Sequence, residues 1–150
     1  MMDYLQYWIE FERNCSFRLT KPKRHDSNYR ALRPGRPGYA IYGSLHPNGV
    51  FSGIETSIGV GVSIMGEDAE GRYHRLEESC KDKITRLQQP HVAGDFPANG
   101  PFFRTNIGDA YCFGTRNEKF NPENRAQWRE QHEWMCRWLR EYHDTFWDCV

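Results

Sequence analysis

The last thirty residues, Asn121 to Val150, constrain the fold of this chain more than any other stretch. Trp128, Trp134, Trp138, Tyr142, Phe146 and Trp147 follow an amphipathic helical pattern introduced by Pro122, and six large rings cannot all stay in water. A buried tryptophan withdraws about 150–250 Å² from solvent, worth about 4–6 kcal/mol at about 25 cal/mol per Å². The C-terminal helix must therefore close a core or an interface. Trp8, Trp128 and Trp138 are expected in the core. Trp134 and Trp147 are expected on a second face, where they would meet a second copy of the chain or another protein.

At 150 residues the chain has the length of one domain, 1–150, and can bury a core without metals or disulfides. No run approaches the roughly 20 apolar residues of a membrane helix, and mean hydropathy is −0.85. The five cysteines (Cys15, Cys80, Cys112, Cys136 and Cys149) contain no CxxC pair, and no leader pattern opens the sequence. Reduced thiols in a cytoplasm are expected.

Twenty basic and twenty acidic residues cancel in total but not in distribution. Between Arg18 and Arg36 seven basic residues face a single acid, Asp26, so this segment carries about +6 and the remainder about −6.

Periodicity outlines an α+β fold, a mainly antiparallel sheet packed against helices in the order α-β-β-β-α-β-β-α. Tyr4, Leu5, Trp8, Ile9 and Phe11 paint one broad side of a helix within Met2 to Asn14. Prolines and glycines between Lys21 and Gly38 mark an exposed loop with at most short strands. Tyr39 to Leu45 reads as a strand, Pro47-Asn48-Gly49 as a turn, and Val50 to Ile58 and Val60 to Met65 as two further strands of a meander. Tyr73, Leu76, Cys80, Ile84 and Leu87 then step as a helix, with Asp68 at its N-cap and Pro90 beyond its end. Phe102 to Ile107 and Ala110 to Thr115 form a hairpin across Gly108-Asp109, and Asn121-Pro122 opens the last helix.

Catalytic patterns are scarce. A PD-(D/E)xK nuclease needs an acid two residues before a lysine, and the residues there are Leu19, Lys21, Ser79, Lys81 and Asn117. No GxSxG, HExxH or GxxxxGK[ST] occurs, and Gly59-Val60-Gly61 lacks the third glycine of a dinucleotide loop. Cys80 and Cys136 fall on helix faces that read as buried, so they are expected to be inert. His132, Cys136 and His143 share a helical stripe, but Cys136 and His143 lie about 10 Å apart along it, too far for one zinc ion. Glu67 and Asp68, with Glu55 on an adjacent strand, are the alternative: a metal site for a small hydrolase. The plainer reading of that cluster is a helix N-terminus, where acids are favoured.

Lys21, Lys23, Arg24, His25, Tyr29, Arg30, Arg33 and Arg36 remain, a mixture suited to phosphate contacts with aromatic stacking. If six phosphates were engaged, affinity would fall with about the fifth power of salt, at about 0.9 per phosphate.

The segments also resemble a prokaryotic family known as domain of unknown function 4268. The resemblance rests on Tyr7-Trp8, the turn Gly35-Arg36-Pro37-Gly38-Tyr39 and the run Ile58-Gly59-Val60-Gly61-Val62-Ser63-Ile64 ahead of Leu76 and Ile84. The closing Trp128-Arg129-Glu130-Gln131-His132-Glu133-Trp134, followed by Leu139, His143 and Phe146, completes it. That family often stands at the C-terminal end of predicted restriction-type nucleases and also occurs alone. The resemblance implies a restriction or phage-defence setting and supplies no catalytic residues. The expectation is a non-catalytic nucleic-acid-associated or assembly module, without cofactor, that binds DNA or RNA through the basic segment. The alternatives are the metal-dependent hydrolase and a pure protein-interaction subunit.

Overall fold

A computed structural model describes residues 2–21, 27–33, 36–47, 54–88 and 98–149 of the chain. Helix α1 (Tyr4–Asn14) leads into strands β1 (Arg18–Leu19), β2 (Tyr29–Arg33), β3 (Tyr39–His46) and β4 (Ser57–Ile64). Helices α2 (Ala69–Ser79) and α3 (Lys81–Leu87) follow, then β5 (Phe102–Ile107), β6 (Ala110–Asn117) and α4 (Trp128–Phe146). The strands form one antiparallel sheet in the order β1-β2-β3-β4-β6-β5. This is the α+β architecture expected, with more elements than the pattern resolves.

Period-2 alternation decides which residues face the helices, while the central strand β4 is buried along its whole length. Tyr39, Ile41 and Leu45 of β3, Ile58, Val60, Val62 and Ile64 of β4, and Phe113 of β6 are all essentially inaccessible. Phe113 meets Tyr142 and Phe146 of α4, and Tyr73 of α2, so these helices share that face. Gly43 of β3 lets α4 approach closely, because a Cβ there would lie 2.7 Å from Met135 Sδ. Buried residues recur along α4 at Trp128, His132, Met135, Trp138 or Leu139, Tyr142 and Phe146, the stripe that a helix lying across a sheet requires.

Several boundaries differ from the pattern. The basic segment contains β2, whose Arg30 and Leu32 point inward. Ser57–Ile64 is one continuous strand, because Gly59 pairs with Ser44 and Arg116 without a break. Residues 48–53, which carry most of the expected turn and the start of the expected second strand, lie outside the described residues, as does Pro90. The helical stripe from Tyr73 to Leu87 is interrupted at Cys80, although all five of its apolar positions are buried. Asp68 precedes α2 with φ 52° and does not cap it, since its carboxylate pairs with Arg75 at 3.1 Å. Asn121 caps a turn at Glu123 instead of the last helix, which begins at Trp128 after a 3-10 turn over Arg125–Gln127. On α1 the core side is Tyr7, Trp8 and Phe11, while Leu5 and Ile9 are exposed.

The expectation that all the thiols are reduced fails at one pair. Cys15, just after α1, and Cys136 in α4 are joined as a disulfide, their Cα atoms 5.8 Å apart where the two helices lie side by side. No helix among the described residues is long and apolar enough to cross a membrane.

Candidate functional site

The described members of the basic constellation have different surroundings. Arg30 is 6% exposed, lies over the Trp8 ring, donates to the Thr20 carbonyl and stands 3.6 Å from the Glu12 carboxylate. Arg36 sits on the Trp147 ring and donates to the Trp147 carbonyl at 2.6 Å, which makes it a clamp on the C-terminal turn. Lys21 and Arg33 are exposed, and Tyr29 is half-buried. Lys23, Arg24 and His25 lie outside the described residues.

The two tryptophans expected on a partner face both pack within the chain. Trp134 is 7% exposed and packs against Trp138, and Trp147 is half-buried between Arg36, Tyr39 and a stacked His143. Glu55, Glu67 and Asp68 are exposed, and no cluster of three metal-ligating side chains exists among the described residues. His132 and Cys136 cannot share a metal, since Cys136 is in the disulfide and His132 is inaccessible and paired with Asn14. The carboxylates fail to converge because Asp68 turns to Arg75 at the start of α2.

What the fold does build is a site on the other side of the sheet, where neither α2 nor α4 packs. Residues directly opposite on neighbouring strands point to the same face, so the register lays out three rows. Tyr29, Ser44, Gly59 and Arg116 form the first; Ala31, Tyr42, Gly61, Gly114 and Phe103 the second; Ala40, Ser63, Cys112 and Thr105 the third. Small residues occupy the middle of every row. The large side chains at the flanks fold over the glycines: a Cβ on Gly61 would lie 2.8 Å from Tyr42 Oη, and one on Gly114 would lie 2.6 Å from Phe103 Cζ. Tyr29 and Tyr42 are paired at 4.6 Å with planes 35° apart. Between the rings lies a cleft of about 800 Å³, within the range that holds a nucleotide-sized ligand.

Its electrostatics are one-sided. Arg116 lies over the Phe103 ring at 4.3 Å, and its buried Nε has no hydrogen-bond partner among the described residues. Burial pulls its pKa down, with Tyr42 and Glu118 opposing, and a guanidinium remains a cation regardless. Arg104 also lines the cleft but is held by Glu77 at 2.9 Å. Among the described lining residues none is acidic. His46, 3.1 Å from Ser44 Oγ, is brought down to about 4 by burial and by Arg116, so it is neutral at pH 7. Burial raises the Cys112 thiol, Ser63 and Tyr42 acting against it, and raises the Tyr29 and Tyr42 phenols. Cys112 is then a protonated thiol and the tyrosines are neutral donors, which describes a binding surface better than a nucleophilic centre. The chemistry fits a planar group with an anionic substituent.

The sequence carried a faint trace of this face in Gly59, Gly61 and Ser63, which alternate with Ile58, Val60 and Val62 as the small side of a strand. Arg116, Phe103 and Cys112 gave no signal, since only strand pairing brings them onto that face, opposite Gly59, Gly114 and Ser63. No protein-family model, curated protein or solved structure matches this chain.

Proposed function

We propose that this domain is a non-catalytic nucleic-acid-binding module that takes the bases of a single strand in the cleft on the face of its sheet away from α2 and α4. The observation that carries the reading is the guanidinium of Arg116 stacked on Phe103 beside the Tyr29–Tyr42 pair, over a floor of glycines. Aromatic side chains on the floor and walls of a sheet-lined cleft stack bases, and an arginine whose Nε is left without a partner among the described residues holds phosphate. Tyr29 and Arg33, two members of the basic segment, alternate onto this same face of β2. Single strands are favoured over duplex, because rings lying on a sheet reach only bases that are already unstacked.

A restriction or phage-defence setting, expected from the resemblance to domain of unknown function 4268, belongs to this proposal. So does a cytoplasmic location. The Cys15–Cys136 bridge weighs against the latter, because disulfides are rare in a reducing cytoplasm.

The test is fluorescence anisotropy with labelled single-stranded RNA, single-stranded DNA and duplex DNA, in the absence of divalent ions. Single strands should bind the wild-type protein, and Phe103→Ala and Arg116→Ala should each weaken binding by about tenfold, the loss of one stacking or charge-assisted contact. Equal affinity of wild type and both variants would remove the sheet face from consideration. Duplex preferred over single strands would remove the stacking argument.

A further inference from the structure

Two of the three free cysteines are placed to react with each other. Cys80 stands at the break between α2 and α3, and Cys149 lies in the 3-10 turn Trp147–Cys149 that follows α4. They are 69 positions apart in sequence, yet their sulfurs are 3.1 Å apart. Cys80 is 3% exposed and Cys149 is half-buried, so one thiol of the pair is reachable from solvent and the other is behind it. The turn carrying Cys149 is fixed independently of that contact. Arg36 donates to the Trp147 carbonyl, and Tyr39 Oη donates to the Phe146 carbonyl at 2.8 Å. Cys149 itself donates to the Thr145 carbonyl at 3.4 Å, and Ser79 Oγ reaches Cys80 at 3.8 Å. The third free thiol, Cys112, belongs to the opposite face of the sheet.

We infer that Cys80 and Cys149 form a thiol–disulfide exchange site, with Cys149 as the entering thiol, Cys80 as the resolving thiol and a small-molecule disulfide as the substrate class. In the first step Cys149, whose thiol is held protonated by partial burial and by Cys80 with Lys83 opposing, gives up its proton, and the thiolate attacks one sulfur of the small disulfide. A mixed disulfide forms, and one small thiolate leaves and takes up the proton that Cys149 gave up. In the second step Cys80, deprotonated, attacks the Cys149 sulfur, closes the Cys80–Cys149 bond and expels the second small thiol. The dithiol is oxidised by two electrons, and the disulfide is reduced to two thiols. The closed bond would tie the α2–α3 break to the end of α4, as the existing bridge ties the end of α1 to its middle.

The experiment uses the full chain, oxidised with glutathione disulfide, alkylated under denaturing conditions and mapped by mass spectrometry. The wild-type protein should lose two of its three free thiols together, with a linked Cys80–Cys149 peptide and Cys112 still alkylated. Cys80→Ser should stop at the mixed disulfide, gaining one glutathione on Cys149. Cys149→Ser should leave Cys80 free, because the buried thiol is not reached from solvent. Protein isolated with the Cys80–Cys149 bond already closed supports the inference equally, provided glutathione reopens it. A wild-type chain that accumulates glutathione on Cys149 while Cys80 remains alkylatable would overturn it. Circular dichroism of both serine variants separates misfolding from altered exchange.

Discussion

The Asn14 side-chain amide donates to Nδ1 of His132 at 3.2 Å, joining the end of α1 to the middle of α4. Because Nδ1 is thereby the acceptor, the proton of the neutral ring lies on Nε2, which is buried without a hydrogen-bond partner among the described residues, and the ring packs edge-on with Tyr7 and Phe11. Burial brings the His132 pKa from 6.5 to about 4. The sign follows from proton uptake: between those values the unfolded chain is protonated and the native one is not. Stability is therefore complete above about pH 6.5 and declines as pH falls toward 4, by up to about 3 kcal/mol from this residue. Urea titrations at pH 7.5, 5.5 and 4.5 should show a shallower decline in His132→Gln. Parallel declines in both proteins would mean that His132 is charged in the native state.

Thr115 and Tyr142 share a hydroxyl–hydroxyl bond of 2.7 Å, in a region where both residues are inaccessible. It is a polar tie between β6 and α4 within a mostly apolar layer. Tyr142→Phe would leave the Thr115 hydroxyl buried and unpaired, at about 1–3 kcal/mol. Adding Thr115→Val should recover part of that loss, since the orphaned group is then removed. The four proteins of this cycle, compared by urea denaturation, check the expectation. A single variant as stable as wild type would contradict it.

How much of this was legible in the sequence depends on the direction of the contacts. The alternation of Tyr39, Ile41 and Leu45, and of Val60, Val62 and Ile64, identified buried strand faces, and the aromatic stripe of the last helix located the core. Both signals are local and periodic. Tyr29-Arg30-Ala31-Leu32-Arg33 escaped as a strand because arginine conceals its inward positions: the Arg30 stem and guanidinium pack on Trp8 where an apolar residue would be expected. Trp134 was misassigned to a partner surface because a helix lying across a sheet buries more than a narrow stripe. The cleft on the opposite face was hidden for a different reason. Its floor consists of glycine, serine and alanine, residues that carry no hydrophobic signal, and its working groups come from four strands with a helical pair inserted between β4 and β6.

Gly61 offers a test in which two effects have opposite signs. Replacing a strand glycine with alanine gains about 0.5–1 kcal/mol from chain entropy alone. Here the new Cβ would lie 2.6 Å from the Phe113 carbonyl and 2.8 Å from Tyr42 Oη, and overpacking of that kind costs about 1–3 kcal/mol. Gly61→Ala should therefore be net destabilising and should displace the Tyr42 ring. A raised melting temperature would show that Tyr42 moves aside freely and that the ring is not held over the glycine.

Arg36 separates the structural arginines from those available to a ligand. Its guanidinium stacks on Trp147 at 4.6 Å and bonds the carbonyl of the same residue, two contacts that fix the last turn. Arg36→Ala should lower stability by about 1–2 kcal/mol, the sum of a cation–π contact and a hydrogen bond at a half-buried site. Its affinity for single strands should stay within twofold of wild type. Intact stability with lost binding would return Arg36 to the ligand surface, where the sequence pattern first put it.

Salt dependence distinguishes the sheet face from the basic segment as a whole. Six engaged phosphates would give a fall in affinity with about the fifth power of salt, whereas the structure turns Arg30 and Arg36 inward and brings Arg116 and Arg33 to the cleft face. Two phosphates of a single strand give a slope of about 1.4, at about 0.7 each. Raising salt from 50 to 200 mM should then weaken binding only about sevenfold. On the proposed reading, stacking on Phe103 and Tyr29 should carry the remaining affinity and be nearly insensitive to salt. Anisotropy titrations across that range measure the slope directly. A slope near five would mean that Lys21, Lys23, Arg24 and their neighbours carry the binding, and Arg116→Ala would then leave it almost unchanged.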